Sequence, residues 1–222
     1  MQFSSFLVVP LLYYTTPFNP FSIQVYWSVI SFILGLIIVL RLMKPDMQAG
    51  SNRNASDWGV AIGWIIAGIV MAYFFQGIAN VIELELLGIE QGSENTEMIM
   101  DISKANPIFV IIPMLIAPIL EEIIFRKIIF GGLYQRMNFF FAALLSALVF
   151  AIIHGEPEHI LIYASMGFVL AFVYVKTKRI MVPILVHMSI NSLAILIPLL
   201  IPPEKLEEMT QQVIMHLTLI GG

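Results

Sequence analysis

The sequence predicts an all-α protein, a polytopic transmembrane helical bundle of about six membrane helices, and three observations carry that prediction. Of its 222 residues, 59% are hydrophobic and 12% charged, against the roughly 45–50% apolar content of soluble domains, and mean hydropathy is +0.91. The apolar residues gather in runs close to the ~20 residues that an α-helix needs to cross a bilayer. The connections between runs alternate in sign, with basic residues at 41–53, 126–136 and 176–179 and acidic ones at 83–101, 156–158 and 204–208.

Residues 1–16 are apolar but broken by Pro10, and they lack the basic start and small-residue cleavage site of a secretory signal. They read as an interfacial segment or a short extra span. Residues 21–40 form the first crossing, closed by Arg41 and Lys44, and a polar loop at 44–57 leads to a second crossing at 58–82, with Trp58 and Trp64 as interface anchors. The next loop, 83–105, carries Glu83, Glu85, Glu90, Glu94, Glu97 and Asp101 against Lys104 alone. Pro107 opens a third apolar helix, bent at Pro113 and Pro118 because proline removes a helical hydrogen bond.

Beyond Gly131, Gly132 and Arg136 come three further apolar segments at 138–154, 160–175 and 180–201. The mixed tail at 202–222 fits a surface or half-inserted amphipathic helix. With no repeat and no long polar stretch, 1–222 reads as a single integral membrane domain. The positive-inside rule puts the three basic connections in the cytoplasm and the C-terminal tail outside. The net charge of -4 and the lack of a basic tract exclude nucleic acid as a partner. The absence of cysteine excludes disulfides, thiolate metal sites, a cysteine nucleophile and palmitoylation.

Polar residues inside the apolar runs carry the chemistry. Glu121, Glu122 and Arg126 interrupt the third helix, where each ionisable group costs about 2.5–3.5 kcal/mol to insert unless it faces protein or a wet cavity. Glu122 and Arg126 stand at i and i+4 and can pair, while Glu121 is rotated about 100° away and stays available. His154 and His187 lie in later apolar segments, and Asn191 shares the face of His187. Taken singly, such histidines more often join helices by hydrogen bonds, and Phe150 reads as packing. His159 and His216 read as ordinary loop and tail residues, and Glu156 and Glu158 as solvated. One conflict arises: His187 lies about 10 Å from the cytoplasmic Arg179, whereas His154 ends its helix towards the other face. Both line one site only if the 155–158 turn dips into a protein-lined cavity.

The pattern Glu121-Glu122-x-x-x-Arg126, Phe150-x-x-x-His154 and His187-x-x-x-Asn191, on successive apolar segments, resembles the three motifs of the type II CAAX prenyl protease and bacteriocin-processing family, also called CPBP or Abi. These are glutamate-type intramembrane endopeptidases. The resemblance covers about 107–195, the expected catalytic core, and departs from the family where Lys127 replaces a common glycine. It implies that Glu121 and His154 activate the attacking water, that His187 and Asn191 stabilise the oxyanion, and that Glu122, Arg126 and Phe150 support them. It implies no cofactor and no metal, and a peptide or protein substrate at the lipid bilayer; a short polytopic chain without targeting extensions suggests a bacterial plasma membrane. It does not imply a prenylated client, and oligomeric state is not encoded in these motifs. General acid–base chemistry agrees, since a carboxylate withdrawn from water can serve as base near neutral pH.

Three other readings compete. Glu121, His154 and His187 could ligate zinc, although no His-Glu-x-x-His is present. A rhomboid-like serine protease would rest on Ser165 alone, in a segment lacking the usual preceding glycine. A non-catalytic scaffold or an immunity or chaperone-like protein would use the same polar cluster to lock helices or hold a client. A transporter is disfavoured by the absence of paired halves.

Overall fold

The computed structural model describes residues 4–49, 55–90 and 92–202, and in the tail 204, 205, 208, 209, 211, 212 and 215. Their regular elements are all helices, without a strand among the described residues. The tail helix expected at 202–222 falls largely outside them, as does His216.

α1 (Ser5–Thr15) lies along α2 (Pro20–Ala49), joined to it by the Trp27 indole N–H donating to Ser4 Oγ at 3.0 Å. α2 does not stop at the expected loop: it continues through Arg41, Lys44 and Pro45 to Ala49. Its 30 residues span about 45 Å, beyond the roughly 30 Å hydrocarbon core, so the basic turns project past it.

α3 (Trp58–Glu85) is followed by α4 (Glu94–Ala105), a helix where a loop was expected. Ser93 Oγ accepts from the Thr96 N–H at 3.0 Å, Glu94 and Glu97 occupy the first turn and Lys104 the last, so cap and dipole favour a helix that hydropathy alone conceals.

α5 (Pro107–Tyr134) changes pitch along its length. A 3-10 turn at Pro107–Val110 gives way to a π segment at Ile112–Ile116, an α turn at Ala117–Glu122, a second π segment at Ile123–Phe130 and a last α turn at Gly131–Tyr134. The first π segment contains Pro113 and hands over to the α turn that holds Pro118, so widening of the helix accommodates the prolines. Lys127 lies inside the second π segment, with no break there. α6 (Phe139–Ile153), capped by Asn138 Oδ1 on the Phe141 N–H at 3.1 Å, α7 (Ile160–Thr177) and α8 (Met181–Leu200) complete the bundle.

Among the described residues, α2, α3, α5, α7 and α8 are long and apolar enough to cross a membrane. α6, the remaining expected crossing, has 15 residues, about 22 Å. α7 is the central helix, packed chiefly on α3 and α6. Its Met166, Val169 and Leu170 meet Ala72, Val186 and Ile190, its Ala171 meets Phe130, Ala142 and Ala143, and its Val173 meets Ala61 and Val182. Trp64 packs edge-on against Phe172 in this core, so of the two expected anchors Trp58 alone stays exposed, with the Arg179 guanidinium 4.5 Å over its ring. Small residues allow the close approach: a Cβ on Gly167 would lie 2.9 Å from Ala147 Cα.

The turn between α6 and α7 corrects three expectations. Glu83 belongs to α3 and is buried; its Oε1 accepts from the Leu161 and Ile162 N–H groups at 3.1 and 3.3 Å, capping α7 from a neighbouring helix. His159 is buried too, its Nδ1 3.0 Å from Glu83 Oε2. Glu156, expected in solvent, is 5% exposed and accepts from Ser93 Oγ and the Asn95 N–H, each at 2.9 Å, and from the Tyr163 hydroxyl. Glu158 is exposed. Burial pushes the Glu156 carboxyl up, but these hydrogen bonds, from the Asn95 N–H, Tyr163 and Ser93, and the nearby His159 outweigh it and hold it below its ordinary range.

Two measurements check this packing. Gly167→Val should lower the unfolding midpoint in mixed micelles by an amount equivalent to about 1–3 kcal/mol. Gly77→Ala, where an added Cβ meets nothing within 4 Å, should be neutral or gain up to about 1 kcal/mol from helix propensity. Glu156 has a depressed folded-state pKa, so its contribution is present above the unfolded value, about 4.3, and is lost as pH falls below it. A melting-temperature titration should therefore show wild type above Glu156→Gln at neutral pH, with the gap narrowing below pH ~4.

Candidate active site

α5 presents Glu122 and Arg126 one helical turn apart, both with side chains 0% exposed. Arg126 Nε stands 3.0 Å from Glu122 Oε2, at ion-pair distance although the N–H is not aimed along a hydrogen-bond direction. A buried pair persists where further contacts offset lost hydration. Here the guanidinium lies 4.9 Å over the Phe150 ring, and Glu122 Oε1 accepts from His187 Nδ1–H at 2.9 Å. Because an ionised carboxylate only accepts, that bond places a proton on Nδ1 and turns Nε2 towards Glu121, whose Oε2 is 3.7 Å away. Glu121 is 29% exposed. Of two adjacent glutamates, one is therefore sealed in an ion-pair chain and the other reaches the accessible side.

His154 caps the end of α6. Its Nδ1–H donates to the Phe150 carbonyl at 2.7 Å; a carbonyl only accepts, so in the neutral ring Nε2 keeps its lone pair. The imidazole lies between Phe150, with ring centroids 4.4 Å apart, and Tyr163, at 4.2 Å and nearly parallel. The fully buried Phe150 also meets the His187 ring at 5.9 Å. One phenyl ring thus carries both histidines, which removes the depth conflict between them. α6 at about 22 Å is shorter than the hydrocarbon core, and in the turn after it protein groups bind Glu156, His159 and the Leu161 and Ile162 N–H groups while Glu158 stays exposed.

Asn191 Nδ2 donates to the Pro113 carbonyl at 3.0 Å, leaving its second N–H uncommitted to that bond. Ser146 Oγ donates to the Phe125 carbonyl at 2.9 Å. Both accepting carbonyls belong to π segments of α5. All seven motif residues therefore fall within one network of α5, α6 and α8. Ser165 Oγ donates to Ile162 within its own helical turn. Among the described residues no group of three or more His, Cys, Asp or Glu side chains is arranged to hold a metal ion.

Two participants escape the motif reading. Ser146 lies four residues before Phe150 on the same face of α6, so a lone serine in an apolar helix was a usable signal. Tyr163 carries none, because its place beside His154 is set by the intervening turn.

Fold and site together define a polytopic membrane protein with a carboxylate and histidine constellation buried among its helices. Comparison with known proteins makes that class specific. Residues 103–193 match the family described as type II CAAX prenyl endopeptidase Rce1-like. The whole chain is 43% identical to the protein named "Putative membrane peptidase YdiL" of Bacillus subtilis (strain 168), covering 93% of it. Over 80% of the chain it is 35% identical to the membrane-embedded CAAX protease MroQ of Staphylococcus aureus (strain USA300), covering 73% of that protein. Over 70% it is 29% identical to the UPF0177 protein YxdF of Lactococcus lactis subsp. lactis (strain IL1403), covering 88% of it. No solved structure matches the chain. The chain belongs to the Rce1-like CAAX prenyl endopeptidase family and is a multi-pass bacterial membrane peptidase, acting on a protein or peptide at the membrane.

Arg126→Ala leaves Glu122 buried beside His187 alone. It should destabilise the bundle by about 3–5 kcal/mol, read as a lowered unfolding midpoint and reduced yield. Arg126→Lys keeps the charge without the planar fork and should recover part of that loss.

Proposed function

We propose that the protein is a glutamate-type intramembrane endopeptidase that works without a metal, with its catalytic core at about 107–195. The observation that carries this reading is the division between the two glutamates: Glu122 is bound by Arg126 and His187, while Glu121 is partly exposed beside the His187 Nε2.

In this mechanism Glu121 accepts a proton from a water that His154 Nε2 orients by accepting its other hydrogen. The water oxygen bonds to the scissile carbonyl carbon, and the carbonyl π electrons move onto oxygen. His187 and Asn191 then donate to that oxyanion. With Nδ1–H committed to Glu122, the His187 ring donates to the oxyanion through Nε2 when that nitrogen also carries a proton. Asn191 supplies the N–H not engaged by Pro113. Collapse of the intermediate breaks the C–N bond, and the proton held by Glu121 passes to the leaving amine. The products are a free amine and a carboxylic acid, which releases the second water proton through His154 Nε2 to solvent and leaves as a carboxylate. Glu122, Arg126 and Phe150 hold the reacting groups and exchange no proton with substrate.

Comparative membrane peptidomics of cells carrying wild type or Glu121→Ala reports both turnover and client, and cleaved sequences absent from the variant supply quenched peptides for kinetics in liposomes. Glu121→Gln should abolish turnover with the fold intact, whereas a scaffold would keep its function with this near-isosteric change. Asn191→Ala should lower kcat by about 10²–10³ with KM nearly unchanged, since an oxyanion donor acts in the transition state. Activity should survive exhaustive chelation; loss on chelation with recovery on added zinc would establish the metal-dependent alternative.

A further inference from the structure

His154 is fixed at one nitrogen by a backbone bond, but a single bond at Nδ1 leaves the ring free to swing about it. What sets the ring plane is the pair of aromatic faces around it. Phe150 comes from the same helix and is tilted by 54°, whereas Tyr163, on α7, is stacked within 27° at a centroid separation of 4.2 Å.

Tyr163 is itself held. Its hydroxyl donates to Glu156, which stands two residues after His154 and also accepts from Ser93 and Asn95 at the start of α4. Three donors fix that carboxylate, the Ser93 hydroxyl lying within reach of both its oxygens, so the tyrosine hydroxyl has a stationary anchor. Glu83 independently caps α7 and binds His159, so the α6–α7 turn has a second anchor besides this network.

From this geometry we propose that Tyr163, anchored by Glu156, is a positioning residue that orients the His154 ring so that Nε2 faces the reacting water. The inference rests on the role given to His154 above. Tyr163 touches neither substrate nor water in this scheme and acts through the imidazole.

The test uses full-length protein in liposomes and a quenched peptide taken from the wild-type cleavage products. His154→Ala is run first: full activity in it would refute the role of His154 itself, separately from that of Tyr163. With His154→Ala inactive, Tyr163→Phe keeps the ring but removes its anchor. It should lower kcat by about threefold to tenfold, a fraction of the roughly hundredfold that a 1 Å displacement can cost, with KM unchanged. Tyr163→Leu, which also removes the ring face, should lose more, and Tyr163→Trp should recover part of that loss.

A second readout is independent of turnover. The ring current of Tyr163 shields the carbon-bound protons of His154, whose NMR signals are assigned by their loss in His154→Gln. These signals should stay near their wild-type shifts in Tyr163→Phe but broaden, and move downfield in Tyr163→Leu. An unchanged kcat in folded Tyr163→Phe overturns the proposal whether or not Tyr163→Leu folds. A rise in KM equal to the fall in kcat also overturns it, by placing Tyr163 in substrate binding.

Discussion

A guanidinium sealed inside an apolar bundle can persist only against a carboxylate, and the Arg126–Glu122 pair is the constraint from which the rest of the site follows. The pair is costly to bury, and its geometry limits what can surround it. Phe150 must present a ring face to the cation, and His187 must donate to the carboxylate oxygen that Arg126 leaves. That bond fixes Nδ1 of His187 on Glu122, and with it which nitrogen meets Glu121. A structural ion pair thereby sets the orientation of the imidazole beside it.

The same logic recurs at the α6–α7 turn, with different partners. Glu83 and Glu156 are both buried acceptors, one engaging the start of α7 and the other the start of α4. Each places negative charge where helix N–H groups lack intrahelical partners. The polar interior of the protein is therefore arranged as two linked layers. His154 stands between them, bonded to Phe150 on one side and stacked on Tyr163 on the other. α7, which contributes to all three apolar clusters, carries both the capped turn and the tyrosine. Packing and site geometry thus share one central helix.

Much of this was legible in the sequence. Hydropathy located the crossing segments, and helical spacing predicted the Glu122–Arg126 pair and the separate exposure of Glu121. Local patterns speak only for local contacts, which is where the reading failed. Glu83, Glu156 and His159 appeared to lie in polar connections, and nothing in their neighbours announces partners 61 to 79 residues away. α4 was missed because its evidence is electrostatic rather than apolar. The first π segment of α5 was read as a proline bend and the second was not foreseen, since the prolines are visible in sequence while the carbonyl partners on α6 and α8 are not.

Those π segments bear on how two neighbouring glutamates come to differ. Asn191 and Ser146 each grip a carbonyl of α5, one on either side of the Glu121–Glu122 step. Two grips on a rod fix its rotation about its own axis as well as its position. Adjacent residues on a helix are about 100° apart, so a slip of one residue would carry Glu122 to the accessible face and withdraw Glu121. Neither side chain is intrinsically the exposed one; the azimuth at which α5 is clamped makes the choice.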